Sequence, residues 1–196
     1  MLFVCTGNIC RSPVGERLFK ARISDNGVTV ASAGTSALVG YGIDGPSALV
    51  LRELGGDPTG HSAQRITRVL VQQADLILTA ESSHRSRILQ VEPGMFRKTF
   101  TMREFARLGS AAGRPEQPLD EAGLRQRVGT IAGLRGQVGA AEAGGDEVGD
   151  PYGAGLDFAR LVIGQISTAV DAAIATLGLD AGVTPPARRR PSPGGR

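Results

Sequence analysis

The chain has 196 residues, of which 41% are hydrophobic and 21% charged, and this composition excludes a chain that is disordered throughout. The length fits one ordinary domain. The net charge is +3, but four arginines lie in residues 181–196, which leaves 18 basic against 19 acidic side chains in residues 1–180. A body with this balance lacks the basic surface that nucleic-acid binding requires, so nucleic acid is not expected as a partner.

No uninterrupted apolar run approaches the roughly 18 residues of a membrane span, so no span is expected. The chain opens into Leu2-Phe3-Val4 without the basic and apolar regions that are typical of a signal peptide. Two cysteines, Cys5 and Cys10, are too few for a disulfide framework and are free for thiol chemistry. We therefore expect a cytoplasmic protein.

The N-terminal region is predicted to form a strand, a loop, a helix and a second strand. Leu2-Phe3-Val4 is a short apolar strand that runs into the loop from Cys5 to Ser12. Pro13 then occupies a natural first helical position, and Asn26-Gly27 ends the helix before a strand at residues 28–31. The apolar residues at helical spacing are Val14, Leu18, Phe19 and Ile23.

Helices and short apolar strands continue to alternate along the chain. A second helix is predicted from Pro46 to Leu54, a buried strand at residues 76–78, and another strand around Phe100. Strands that are separated by helices indicate a parallel sheet with helices on both faces.

The C-terminal half contains two further helical stripes. Residues 109–149 are rich in Gly and Ala, yet Leu124, Val128, Ile131, Leu134 and Val138 fall on one helical face. A long closing helix is predicted from Phe158 to Leu177. We expect one domain over residues 1–180, which includes the helical segment 109–149, followed by a disordered Pro- and Arg-rich tail over residues 181–196.

The chemistry is concentrated in the loop after the first strand. Five residues separate Cys5 from Arg11, and a loop of this size that enters a helix N-terminus points several backbone N–H groups at one oxyanion. A cysteine beside these amides favours the nucleophilic thiolate, to which Ser12 donates a hydrogen bond. The planar guanidinium of Arg11 grips two phosphoryl oxygens at once.

Other interpretations of these residues are weaker. A nucleotide P-loop would end in Gly-Lys-Ser/Thr, which is absent. His61 and His84 are not in the paired spacing of a zinc site, so neither a metal nor another cofactor is expected. The remaining alternative is that Cys5 is a small buried hydrophobe and Arg11 a surface charge, as most isolated residues of these types are.

Cys5-Thr6-Gly7-Asn8-Ile9-Cys10-Arg11-Ser12-Pro13 resembles the signature loop of the low-molecular-weight protein tyrosine phosphatases. Asp150-Pro151-Tyr152 resembles the second motif of that family, and Ser32-Ala33-Gly34-Thr35 and His61-Ser62-Ala63 are similar to two further landmarks. The resemblance covers most of residues 1–108 and 150–178.

The resemblance implies a three-layer α/β fold in which helices flank a four-stranded parallel sheet, with the phosphate loop after the first strand. It implies that Cys5, Arg11 and Asp150 are catalytic, and that Ser32 and His61 support the loop by hydrogen bonds with Asn8 and Ser12. The substrate-binding residues that it implies are Thr6, Gly7, Asn8, Ile9, Cys10, Ser12 and Tyr152.

The implied activity is hydrolysis of phosphotyrosine in protein substrates. Cys5 attacks phosphorus to form a phosphocysteine, and Asp150 protonates the leaving phenolate and then activates water. No metal is needed. Two alternatives remain open: a phosphoarginine phosphatase, and a non-catalytic module that binds phosphorylated ligands. An arsenate reductase would need further cysteines, and none follows Cys10.

The sequence departs from the family pattern at three places. Residues 109–149 separate the two motifs more widely than is usual, Leu38 stands near where many relatives carry a rim aromatic, and Gly153 follows Tyr152 where some relatives have a second tyrosine. Tyr41 is a candidate to compensate for Leu38. Ile9 stands where relatives that act on phosphoarginine tend to carry Thr, which favours phosphotyrosine. Cys5 and Cys10 together predict reversible oxidation.

Overall fold

A computed structural model describes residues 1–23 and 27–180 of the chain. These residues form a parallel sheet of β1 (Leu2–Cys5), β2 (Ala31–Gly34), β3 (Ile77–Thr79) and β4 (Thr99–Thr101), in the order β2-β1-β3-β4. The helices are α1 (Arg11–Arg22), α2 (Gly45–Glu53), α3 (Arg68–Gln73), α4 (Ser82–Val91), α5 (Met102–Ala112), α6 (Glu121–Gly133) and α7 (Leu156–Leu177). The expected four-stranded α/β fold is confirmed.

The central strand β1 shows how the layers form. Side chains of a strand alternate between its two faces. Phe3 and Cys5 therefore enter the larger core, which is built with α1, α5 and α7, whereas Leu2 and Val4 enter a smaller core with residues of α3 and α4. Both faces of the sheet are covered by helices, which makes the fold three-layered.

The closing helix α7 supplies much of the larger core. Its buried residues include Val162, Ile163, Ile166, Val170 and Ile174. By length and composition it is also long and apolar enough to cross a membrane, since an 18-residue window has a mean hydropathy of 1.3. No span was expected from the sequence because it contains no long unbroken apolar run. Helix α7 reaches its mean hydropathy of 1.3 although polar residues interrupt its apolar ones. In this fold its apolar stripe packs against neighbouring helices.

Two element boundaries differ from the sequence predictions. Helix α1 begins at Arg11, because the carbonyl of Cys10 already accepts from the N–H of Val14. Pro13 is therefore the third helical residue, where its missing N–H costs nothing because first-turn N–H groups have no partner within the helix. The predicted end of this helix at Asn26 lies outside the described residues. Within the described residues, α1 ends at Arg22.

Strand β2 lies three residues later than predicted, at Ala31–Gly34 instead of residues 28–31. The apolar signal of Val28 and Val30 belongs to the segment before the strand, where both residues pack against the larger core. The strand itself consists of small residues because the phosphate loop lies against its end. A Cβ atom on Gly34 would lie 2.4 Å from the carbonyl oxygen of Thr6.

Residues 109–149, called the insertion segment below, contribute a few buried residues to the core. Helix α6 buries Val128 and Ile131, but it ends at Gly133, so that Leu134 lies in a 3₁₀ turn and Val138 beyond it. The segment returns to the sheet at Val148, which is fully buried. The predicted tail, residues 181–196, lies outside the described residues.

Candidate active site

The site lies at the carboxyl ends of the parallel strands, where open α/β sheets bind their ligands. Cys5 ends β1, Glu81 follows β3 after one residue, and Arg11 opens α1. The end of the insertion segment brings Asp150 to the same edge, where it pairs with Arg11. The three residues that the sequence predicted to be catalytic are therefore gathered in one place.

The loop between β1 and α1 has its carbonyl groups turned outward. The carbonyls of residues 5, 6, 7 and 9 accept from the backbone N–H groups of Thr35, Ser36, Leu38 and Asp44, at 2.8 to 3.0 Å. The carbonyl of Asn8 accepts from His61 Nε2 at 2.7 Å. In a trans peptide the N–H points opposite the carbonyl, so the N–H groups of residues 6–10 face the inside of the loop. This arrangement is a nest for an anion.

Asn8 holds the loop from within. Its side-chain nitrogen donates to Ser12 Oγ and Ser32 Oγ, both at 2.9 Å, and its side-chain oxygen accepts from the backbone of Gln64 at 2.8 Å. Its φ of 56° lies in the left-handed region, which Asn tolerates better than most residues. The geometry brings Asn8, Ser12, Ser32 and His61 together in one hydrogen-bond network.

The same network contains Glu16, which the sequence analysis missed. Ser32 donates its hydroxyl proton to Glu16 Oε2 at 2.6 Å, which leaves the Ser32 oxygen free to accept from Asn8. Glu16 is nearly buried on α1, one turn after Ser12. A charged residue at helical spacing from the loop, on the apolar face of α1, is the signal that could have identified it.

Cys5 faces a hydroxyl donor. Its Sγ atom lies 3.0 Å from Ser12 Oγ, and the Ser12 oxygen accepts from Asn8 Nδ2. The hydroxyl proton of Ser12 is thus free to point at the sulfur or at the carbonyl of Ala33, 3.3 Å away. When Cys5 is a thiolate, the charge-assisted bond to sulfur is favoured.

Arg11 is almost wholly buried, with 2% of its side chain exposed, and its guanidinium has fixed partners. Nη1 donates to Glu81 Oε1 and to the carbonyl of Val148, and Nη2 donates to Asp150 Oδ2 at 2.8 Å. The Nε atom is buried and has no partner within residues 1–23 and 27–180. It is therefore a free donor for an anion bound beside Arg11, and charge-assisted hydrogen bonds from arginine to phosphate oxygens are strong.

Glu81 and His84, at the start of α4, are two site residues that the sequence analysis did not identify. Burial alone would raise the pKa of Glu81, but the hydrogen bond and charge of Arg11 outweigh it and hold that pKa below its usual value. Burial lowers the pKa of His84. The position of Glu81 after a buried strand was the available signal, since the carboxyl ends of parallel strands share one edge.

The side chains of Ile9 and Cys10 are buried in a small cluster with Ala63. Ile9 is only 7% exposed. Burial, followed by the nearby charges of Asp44, Cys5 and Asp150, outweighs a hydrogen bond with Ser47 and raises the pKa of Cys10 to about 12. The outward carbonyls of the preceding residues turn the backbone N–H groups of both residues toward a bound anion.

The predicted rim residues are exposed. Tyr152 is 61% exposed, and its backbone N–H donates to Asp150 Oδ1 at 3.3 Å, which fixes the turn that carries the carboxylate. Leu38 adjoins the loop through the bond of its N–H to Gly7, and Tyr41 is linked to Leu38 by a backbone bond of 3.1 Å. Within the part of the chain that the structure describes, no group of three or more His, Cys, Asp or Glu residues could hold a metal ion.

Comparison with known proteins decides the family. Residues 1–120 match the model of the family described as low molecular weight phosphotyrosine protein phosphatase. The chain belongs to this family. It is 41% identical over 99 residues to the low molecular weight protein-tyrosine-phosphatase Etp of Escherichia coli, a match that covers 50% of this chain and 66% of Etp.

Solved structures of the family share the fold. The tyrosine phosphatase AmsI of Erwinia amylovora superimposes with a TM-score of 0.64 and 28% identity over 88% of this chain and 89% of AmsI. The YwlE arginine phosphatase of Geobacillus stearothermophilus gives a TM-score of 0.63 and 26% identity over 87% of each chain. The fold therefore accompanies two different phosphorylated substrates. Asp150 lies outside the 120 residues of the family match, and its ion pair with Arg11 is what places it in the site.

Proposed function

We propose that this protein is a phosphatase that hydrolyses phosphotyrosine in protein substrates through a phosphocysteine at Cys5. The observation that carries the proposal is the loop of outward carbonyls around Cys5, closed on one side by the buried guanidinium of Arg11. Inward N–H groups and a guanidinium stabilise the charge that develops on the equatorial oxygens of a transferring phosphoryl group. Ser12 supports the thiolate that attacks phosphorus.

The second catalytic group is Asp150. Its carboxylate is half exposed and 2.8 Å from Arg11 Nη2, so it stands beside the group that grips phosphate. In the first step the Cys5 sulfur forms a bond to phosphorus, the bond from phosphorus to the tyrosine oxygen breaks, and protonated Asp150 gives that oxygen its proton. In the second step Asp150 takes a proton from water, the water oxygen bonds to phosphorus, and the thiolate leaves.

Phosphoarginine is the second candidate substrate, and the similarity to YwlE supports it. The inward N–H groups and Arg11 do not discriminate between the two, because both substrates present the same phosphoryl group. A nest that only binds a phosphorylated partner is the third possibility. The pairing of Arg11 with a carboxylate positioned for proton transfer supports catalysis over mere binding.

We also propose a cytoplasmic location. Cys5 and Cys10 are free thiols in the structure, and a thiol nucleophile needs a reducing compartment.

Phosphate release from phosphotyrosine, phosphoarginine and phosphoserine peptides tests the proposed activity. Arg11→Lys keeps the charge but loses the planar fork, so we expect kcat/KM for phosphotyrosine to fall by about 100-fold or more. The matched control is Arg22→Lys. Arg22 lies at the other end of the same helix, where it pairs with Asp171. Absence of turnover by the parent protein on every peptide would leave only the binding function.

A further inference from the structure

The insertion segment is fixed to α5 just before it delivers Asp150. Arg107 grips Asp146 with two hydrogen bonds, from Nε to Oδ1 at 3.1 Å and from Nη2 to Oδ2 at 2.6 Å. Its third nitrogen donates to the carbonyl of Gly139 at 2.7 Å. One arginine thus joins two points of the segment, and the hydrogen bond to Asp146 raises the pKa of Arg107.

The next two residues are also held by hydrogen bonds to neighbouring elements. Arg103, one turn before Arg107, donates to the carbonyl of Glu147 at 3.1 Å. The carboxylate of Glu147 accepts from the N–H and the hydroxyl of Ser82 at the start of α4. Val148 donates its N–H to the carbonyl of Ala80 at 2.9 Å, directly after β3. Residues 146–148, called the anchor segment, are therefore tied to α5, α4 and the sheet.

The anchor segment ends at the catalytic groups. The carbonyl of Val148 accepts from Arg11 Nη1, and Asp150 follows two residues later and accepts from Arg11 Nη2. Gly149 lies between the two contacts. A chain reaches at most about 3.5 Å per residue, so fixing residues 146–148 confines Asp150 to a small region beside Arg11. Release of the anchor would leave Asp150 held by its ion pair with Arg11 and by the N–H of Tyr152.

We propose that Arg107 and Arg103 are positioning residues for Asp150, and that the insertion segment serves to hold the acid loop in place. The inference rests on the proposed function of Asp150 as the proton donor. Neither arginine touches the nest. Their effect is to keep the carboxylate within reach of the leaving oxygen, and a misplacement of about 1 Å is enough to slow such a step severely.

The selective readout is the dependence of kcat/KM on the leaving group. Phenyl phosphate releases a phenolate whose conjugate acid has a pKa of about 10, and it needs the proton. p-Nitrophenyl phosphate releases a much better leaving group and needs the proton far less. For Arg107→Gln we expect kcat/KM to fall about 10- to 100-fold with phenyl phosphate and less than about threefold with p-nitrophenyl phosphate.

Two further variants test whether the effect comes from the contact between Arg107 and Asp146. Asp146→Asn breaks the same contact from the other side and should reproduce the selective loss. Arg125→Gln is the matched control, because this exposed arginine lies on α6 within the insertion segment but pairs with Asp75 and Glu121, away from the anchor segment. We expect it to change kcat/KM less than about twofold with either substrate.

Asp150→Asn separates this inference from the proposed function. Combined with Arg107→Gln it should show no further selective loss, since the group that Arg107 positions is already disabled. If Asp150→Asn slows both substrates equally, the acid role is wrong and the inference falls with it. If Asp150→Asn is selective while Arg107→Gln and Asp146→Asn are not, the positioning role alone is overturned.

Discussion

The Nε2 atom of His84 lies 2.9 Å from the hydroxyl oxygen of Thr6, which links the first turn of α4 to the phosphate loop. His84 Nδ1 accepts from the backbone N–H of Glu81, so Nε2 carries the proton and donates it to Thr6. The Thr6 oxygen is then an acceptor, which also lies 3.4 Å from Arg11 Nη2.

This relationship predicts an acid-sensitive contribution to stability. Burial lowers the pKa of His84 in the folded protein, so at pH values below the unfolded pKa of about 6.5 the unfolded chain binds more protons than the folded one. Stability should therefore fall as the pH falls from 7.5 to 5.5. His84→Gln removes this contribution, and its urea midpoint should change less between the two pH values than that of the parent. Equal changes would contradict the buried neutral imidazole.

Asn8 offers a test of the loop network. Asn8→Ala removes three hydrogen bonds and puts a less tolerant residue at a φ of 56°, so we expect a loss of about 2–4 kcal/mol in the free energy of unfolding. Asn8→Gly removes the same hydrogen bonds without the backbone strain and should be about 1 kcal/mol more stable than Asn8→Ala. Phosphate binding should weaken in both. Urea denaturation and calorimetry give the two quantities, and wild-type phosphate affinity in both variants would show that the loop does not depend on Asn8.

The fold was predictable because its signals are local. The apolar strand before Cys5 and the apolar stripe of α7 lie in the positions that periodicity gives them. Strand β2 was misplaced because Gly34 is selected by the approach of Thr6 rather than by strand propensity. No local pattern reports such a contact between residues that are distant in the sequence.

Only those site residues that belong to sequence motifs could be predicted. Cys5, Arg11 and Asp150 belong to recognisable motifs, and the structure gathers them. Glu81 and His84 lie in no such motif, and their roles follow from the order of the strands, which places β3 beside β1. Arg107 was harder still to predict from the sequence. Its proposed role depends on the place at which the insertion segment reaches the site, next to Asp146.

Substrate choice provides a test at Ile9. Its side chain packs with Cys10 and Ala63, so Ile9→Thr buries a hydroxyl in an apolar cluster and also offers a polar group near the loop. If Ile9 selects phosphotyrosine, the ratio of kcat/KM for phosphotyrosine to phosphoarginine peptides should fall about 10- to 200-fold in Ile9→Thr. An unchanged ratio would show that Ile9 only braces the loop, and a parent that prefers phosphoarginine would reverse the proposed substrate.

Oxidation provides a test at Cys10. Peroxide should convert the Cys5 thiolate to a sulfenic acid, which condenses with the Cys10 thiol to a disulfide and water, and a dithiol should restore activity. The pKa of about 12 at Cys10 means that little of this thiol is ionised at neutral pH, and the thiolate is the form that attacks the sulfenic acid. Protection of Cys5 against irreversible oxidation should therefore improve from pH 7 to pH 8.5. The extent of protection is measured as the activity that is recovered after peroxide and then dithiol treatment. Recovery of Cys10→Ala as complete as that of the parent would exclude the protective disulfide.

The nucleophilic role of Cys5 is the central claim, and Cys5→Ser tests it most directly when turnover and phosphate binding are measured on the same protein. The serine hydroxyl is a far weaker nucleophile, whereas the outward carbonyls, the inward N–H groups and Arg11 stay in place. We expect turnover of p-nitrophenyl phosphate to fall by at least about 1,000-fold, while phosphate binds within about tenfold of the parent affinity. Turnover near the parent level in Cys5→Ser would contradict the phosphocysteine mechanism.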